Sequence, residues 1–134
     1  MTHEVDPREL FTRHDGNPII KASAFHSMVN AAFNPAAVSF EGGTLLLIRV
    51  EDRSGLSRLA VATSADGFTD WEVDLQRGIA PDPDRFEEQW GVEDPRITRD
   101  DDGYLIVYTG YSPGGPLVCL ARTIRFPSRQ NSFP

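Results

Sequence analysis

The sequence predicts an all-β chain assembled from a repeated unit of short strands. Three observations lead there. Apolar residues make up 40% of the 134, enough for a core, yet almost none recur at helical spacing. The apolar stretches are short, β-branched or leucine-rich, and bounded by Gly, Asp, Pro and Ser, which is how strands are punctuated. A gap-free shift of 60 residues then lays the chain on itself at its turns and strand centres.

The elements follow in order. Strands are expected at 36–40, 44–50, 58–64, 96–99, 104–111 and 117–123. Glu41-Gly42-Gly43 and Asp100-Asp101-Asp102-Gly103 are expected as hairpin turns in which glycine supplies the positive φ. Residues 65–92 are rich in Asp, Pro and Gly and are expected to form a long connection, with a short strand suggested only at Trp71-Glu72-Val73.

The shift of 60 places Pro35 on Pro95, Gly43 on Gly103, Leu45 on Leu105, Gly55 on Gly115 and Thr63 on Thr123. A period of this size, built only of strands, suggests the blades of a β-propeller. A β-sandwich with similar hairpins is the alternative. Propellers close with about four to eight blades, so two units are too few. The chain is therefore expected to be one partial domain over 1–134. It has a lead-in at 1–30 and blade-like repeats at 34–64 and 94–124.

Charge narrows the partners. Twenty acidic residues against 13 basic ones give a net charge of −7. No basic face is available to collect phosphates, so no nucleic-acid partner is expected. An acidic surface also repels anionic membranes, and apolar runs such as Leu45-Leu46-Leu47-Ile48 are far below the about 20 residues a membrane helix needs. The first residues carry no secretory pattern and Cys119 is the only cysteine, which together point to the cytoplasm.

Few residues could carry chemistry. His3, His14 and His26 share no metal-ligand spacing, and no metal or cofactor site is expected. Asn34 and Asp94 fall in register at the starts of the two repeats, each followed by proline, which should hold the preceding residue extended. In a propeller such strand starts gather around the central axis, where substrates usually bind; the plainer reading is that both bond backbone, as Asx residues often do. Arg49 lies in Arg49-Val50-Glu51-Asp52-Arg53, whose plainer reading is a solvated strand end. Trp90 could stack on a sugar or pack within its loop.

The ordered pieces resemble glycoside hydrolase family 130, in particular its β-1,4-mannosyl-oligosaccharide phosphorylases. They are Phe33-Asn34-Pro35-Ala36-Ala37-Val38, Ile48-Arg49-Val50-Glu51-Asp52-Arg53-Ser54-Gly55, Ser64-Ala65-Asp66-Gly67 and Trp71. They continue with Glu87-Glu88-Gln89-Trp90-Gly91-Val92-Glu93-Asp94-Pro95-Arg96-Ile97-Thr98 and Tyr108-Thr109-Gly110-Tyr111-Ser112. The resemblance implies a five-bladed propeller, of which this chain covers about the first two blades. It also implies a glycosyltransferase-type enzyme, an inverting phosphorylase that cleaves β-mannosides with inorganic phosphate to give mannose 1-phosphate.

On that resemblance Asp94 is the catalytic acid, and Asn34 and Arg49 contact the sugar. Partners would be a β-mannoside oligosaccharide and phosphate, with phosphate as co-substrate in place of any cofactor. The full-length enzyme is free to assemble as a homo-oligomer. The family's phosphate-binding residues are expected beyond the residues present here, where the sequence departs from the family after Thr123-Ile124-Arg125-Phe126 and runs only to Pro134. A β-mannosidase of the same family, or a non-catalytic carbohydrate-binding module, are the competing readings.

Overall fold

The computed structural model describes residues 10–25 and 28–126. Strands β1 (Val29–Phe40), β2 (Gly43–Asp52), β3 (Ser57–Ser64) and β4 (Glu72–Ile79) form one antiparallel sheet in chain order. Strands β5 (Val92–Asp100), β6 (Gly103–Ser112) and β7 (Gly115–Thr123) form a second. Single turns of 3-10 helix at Ala22–Phe25 and Phe86–Glu88 are the helical elements among the described residues. The all-β expectation holds.

Alternation decides which face of each strand is buried. In the first sheet Leu45, Leu47, Leu59 and Val61 point toward the second sheet and meet Val92, Tyr104, Ile106 and Tyr108 there. Their neighbours Leu46, Ile48, Val50, Ala60 and Ala62 point the other way and are covered by Phe25 and Ile20 of the lead-in. Both faces of the first sheet are therefore buried, which is why Leu45 to Ile48 is apolar without interruption. The far face of the second sheet is open: Val107, Leu120 and Val118 are 40%, 67% and 86% exposed.

The strands depart from expectation in three places. β1 and β5 begin at Val29 and Val92, several residues early, because the Asx-Pro pairs lie inside the strands and do not start them. The connection at 65–92 contains an eight-residue edge strand, β4. Its polar Asp74, Gln76 and Arg77 mask the alternation by which Val73 and Leu75 pack on the Phe25 cluster. The third difference concerns the repeat. The shift of 60 is kept through β1/β5 and β2/β6 but slips by one residue in the third strand, where Leu45 pairs with Thr63 and Leu105 pairs with Arg122. Ser112 and Gly115 are joined by a shorter turn than Glu51 and Ser57, so Gly55 and Thr63 are not the partners of Gly115 and Thr123.

The hairpin glycines correct a further detail. Gly42 does take a positive φ of 77°, but Gly43 and Gly103 do not. Their glycine is required by close approach: a Cβ would lie 2.3 Å from Ser64 O at Gly43 and 2.2 Å from Thr123 O at Gly103. Ser64 and Thr123 are related by the slipped register, so the two glycines do the same job in the two sheets.

Candidate active site

The Asx-Pro pairs are β-bulges. Register slips by one residue between Phe33/Ala36 on β1 and between Glu93/Arg96 on β5. Proline donates nothing to a ladder and is tolerated at a bulge. The residue before it is not extended, as the sequence suggested, but left-handed: φ is 47° at Asn34 and 45° at Asp94. Asn and Asp enter this region more readily than other side chains. A bulge re-aims a side chain, and here it does so twice, at equivalent points on two strands that pack together.

The result is one hydrogen-bonded cluster. Asn34 Nδ2 donates to Asp94 Oδ1 at 2.8 Å, so the two Asx side chains meet each other and not the backbone. Arg49, paired with Phe33 beside the first bulge, reaches across the sheet interface. Its Nη1 donates to Asp94 Oδ1 at 3.1 Å, Nη2 to Glu93 Oε1 at 2.8 Å and Nε to Ser57 Oγ at 2.9 Å. The Phe33 ring lies 4.5 Å from the guanidinium carbon, within cation–π reach. The Arg49 side chain is only 14% exposed, which corrects the reading of a solvated strand end.

The two adjacent carboxylates are driven apart electrically. Burial pushes the Glu93 carboxyl up; Arg49 pulls it down, while Asp94 and Glu51 add to the rise, and the balance is upward. Burial would raise Asp94 too, but hydrogen bonds from Asn34 and Arg49, with the charges of Arg49 and Arg96, outweigh it and hold Asp94 below the usual range. The Asp94 side chain remains 40% exposed against 19% for Glu93. A ligand can therefore approach Asp94 while Glu93 stays behind the arginine. The geometry offers one accessible carboxylate flanked by an amide and a guanidinium, which suits proton exchange with a polyhydroxylated ligand.

Other motif residues support this cluster from outside. Asp52 accepts from Ser54 N at 2.8 Å and Leu56 N at 3.2 Å, shaping the loop that returns Ser57 beneath Arg49. Asp66 accepts from Phe68 N and Thr69 N, both at 2.8 Å, so the Ser64-Ala65-Asp66-Gly67 string builds a turn. Before β5, buried Glu88 accepts from Tyr108 Oη at 2.5 Å and from Asp82 N at 2.9 Å, tying the loop to β6. Burial first, and then the Glu88 carboxylate, push the Tyr108 hydroxyl well above its ordinary range. Trp90 is 48% exposed and sits edge-on to Tyr111 at 5.5 Å, so it is not simply packed in its loop. His14 is exposed and stacks on Phe68, while His3 and His26 lie outside the described residues.

Sequence reasoning found Asn34, Arg49 and Asp94 but assigned nothing to Glu93 or Ser57. Glu93 carried a signal, since it precedes the expected acid in the same motif. Ser57 carried none, because only the β2–β3 pairing returns it to Arg49.

The cluster lies within a chain that matches known proteins along most of its length. The model of a family described as beta-1,4-mannooligosaccharide phosphorylase matches residues 9–131. A beta-1,2-mannobiose phosphorylase from Thermoanaerobacter sp. (strain X514) is 31% identical over 114 residues, covering 75% of this chain and 37% of the relative. A solved structure described as one of the glycoside hydrolases that target beta-1,2 mannosidic linkages in Candida mannan, within a family of mannoside phosphorylases, is 31% identical. It aligns with a TM-score of 0.68 over 83% of this chain and 37% of its own. At 20% identity, a beta-1,2-mannobiose phosphorylase from Listeria innocua in complex with beta-1,2-mannobiose shares the fold, with a TM-score of 0.73 over 87% of this chain and 48% of its own. These neighbours are propeller-type folds, and the two antiparallel sheets described above are part of one. The chain spans 37% of the length of the curated relative it matches, and it belongs to glycoside hydrolase family 130, the mannoside phosphorylase family.

Proposed function

We propose that this chain supplies the acid-bearing part of the active site of an inverting β-mannoside phosphorylase. The observation that carries the reading is the convergence of Asn34, Arg49 and Asp94 from separate strands onto one carboxylate oxygen. Asp94 is the general acid. Inorganic phosphate attacks C1 of the mannosyl unit, the bond from C1 to the glycosidic oxygen breaks, and the proton of Asp94 passes to that oxygen, by way of a sugar hydroxyl. The products are mannose 1-phosphate and the shortened saccharide. Phosphate is already an anion, so no second carboxylate is needed to make the nucleophile.

Asn34 and Arg49 have a double part in this reading. Through their hydrogen bonds, and the charge of Arg49, they hold Asp94 ionised. A sugar that takes over their donors with its own hydroxyl oxygens removes that stabilisation, and burial then favours the protonated acid. Substrate binding would in this way arm the acid. The phosphate donors are assigned to the part of the family fold this chain does not span.

A β-mannosidase is the second reading, favoured by the solved relative whose description names hydrolases acting on β-1,2 mannosidic linkages. The relatives' linkages differ, β-1,4 for the family model and β-1,2 for the curated relative, so both linkages belong in the assay. The natural full-length protein is expected to release mannose 1-phosphate in proportion to added phosphate; free mannose without phosphate would favour the hydrolase. Asp94→Asn keeps the shape and removes the proton, and should lower kcat/KM by about 10²–10⁴-fold. Near-normal turnover in that variant would overturn the role of Asp94.

A further inference from the structure

The guanidinium of Arg49 is shared between two neighbouring carboxylates, and the sharing is uneven. Nη2 to Glu93 is 2.8 Å, while Nη1 to Asp94 is 3.1 Å. Nε is held by the buried hydroxyl of Ser57, and one face of the group lies over Phe33. Remove Asp94 from this arrangement and Arg49 keeps two hydrogen bonds and its aromatic contact. Remove Glu93, and Asp94 becomes the sole carboxylate in hydrogen-bond contact, with Glu51 next at 3.9 Å. An arginine fork has a strong preference for bidentate pairing with a carboxylate. Without Glu93, Arg49 is free to close on Asp94 with both arms.

From this we infer that Glu93 is a positioning residue: with Ser57 it holds Arg49 back, so that Asp94 contributes one bond to the arginine and can surrender it to a sugar. The inference rests on Asp94 acting as the acid proposed above. Glu93 touches no substrate in this account. The charged groups around Asp94 are Arg49 and Glu51 on β2 and Glu93 and Arg96 on β5, with the neutral amide of Asn34 from β1. Glu93 acts on Asp94 in two ways of the same sign. Its negative charge opposes ionisation of Asp94, and its hold on Arg49 withholds part of the compensating positive charge.

Glu93→Gln separates these effects from a structural role. The amide oxygen can still accept from Nη2, so the cluster keeps a partner for Arg49 while losing the charge. The first measurement is the titration of the Asp94 carboxyl carbon by NMR in the natural full-length protein without substrate. Glu93→Gln is expected to move that titration to lower pH, and Glu93→Ala further. The second is the pH dependence of mannoside cleavage. Less Asp94 is then protonated at neutral pH, so the alkaline limb should move to lower pH and kcat should fall about tenfold or more, with KM changed far less.

An Asp94 titration that stays in place or rises in Glu93→Gln would overturn the inference, whatever happens to activity. A lowered melting temperature with an unmoved titration would do the same and leave Glu93 a structural residue only. A protein that cleaves no mannoside but whose Asp94 titration moves down as expected would instead sink the functional reading and leave the positioning role standing.

Discussion

The two sheets share a plan and differ in how they are covered. Each begins with a strand carrying an Asx-Pro bulge, turns through a hairpin whose closing glycine lies under a carbonyl of the third strand, and continues with an apolar strand. In the first sheet Leu47 points into the space between the sheets and is fully buried. Its counterpart in the second, Val107, is 40% exposed, and the strand paired to it presents Leu120 at 67%. The same face is thus core in one sheet and surface in the other. A position's sequence makes it fit for burial, and its neighbour decides whether burial happens. In a propeller each blade's face is completed by the next, and the open face of β5–β7 is the one that would receive a further sheet.

Three tests bear on that contrast, beginning with the largest effect. Leu47→Ala should cost about 2–5 kcal/mol, the usual range for a leucine deleted from a core. That is a large part of the about 5–15 kcal/mol that holds a domain together. Val107→Ala, at the equivalent point, should stay within about 0.5 kcal/mol, as surface changes do. Denaturant titration of both variants reads the difference. If Val107→Ala proves as costly as a core deletion, its face is covered in solution and the contrast between the sheets fails.

Tyr108→Phe comes next, because it tests a bond the second sheet has without a counterpart among the described residues of the first. Losing the hydroxyl leaves one oxygen of buried Glu88 without its donor, at a cost of about 1–3 kcal/mol. The bond also sets a pH response. The hydroxyl titrates higher in the folded chain than in the unfolded one, where it sits near about 10. Its contribution is therefore complete below about pH 10 and is lost as pH rises toward the folded value. The melting temperature of the unsubstituted chain should fall above about pH 10, and Tyr108→Phe should flatten that fall. Parallel curves would show that Tyr108 is not the group responsible.

The smallest effect concerns the bulges. Both Asn34→Ala and Asn34→Gly remove the hydrogen bond to Asp94, but only alanine must hold a Cβ at a φ near 47°. Left-handed backbone costs an ordinary residue roughly 1–2 kcal/mol, so alanine should be the less stable of the two by about that amount. Both should raise the titration of Asp94 equally. Equal stability would mean the bulge has relaxed, and the left-handed placement of the Asx side chain would not be enforced by the sheet.

Much of this was legible from residues alone, and the reason differs by feature. Strand centres, hairpin turns and the register of Asn34 with Asp94 are local matters of period-2 alternation, turn residues and spacing. β4 is faint in the sequence because an edge strand buries one face only, and its charged residues dilute the signal. The backbone at Asn34 and Asp94 departs from the sequence expectation because proline's preference for an extended predecessor is a local tendency that sheet pairing can override. Two paired strands that differ by one residue must place the extra residue somewhere, and Asn and Asp tolerate the left-handed form best.

What the sequence by itself determined is the all-β class, the two repeats, the family, and the names of three of the five residues in the cluster. The tertiary structure alone decided that Asn34 and Asp94 bond to each other, that Ser57 and Glu93 complete the grip on Arg49, that the third strands are out of register by one, and that one sheet is covered on both faces and the other on one. The physical reason is distance along the chain. Composition and periodicity report what a residue prefers among its near neighbours. Asn34 and Asp94, however, are 60 residues apart, and whether they meet depends on how one sheet lies against another.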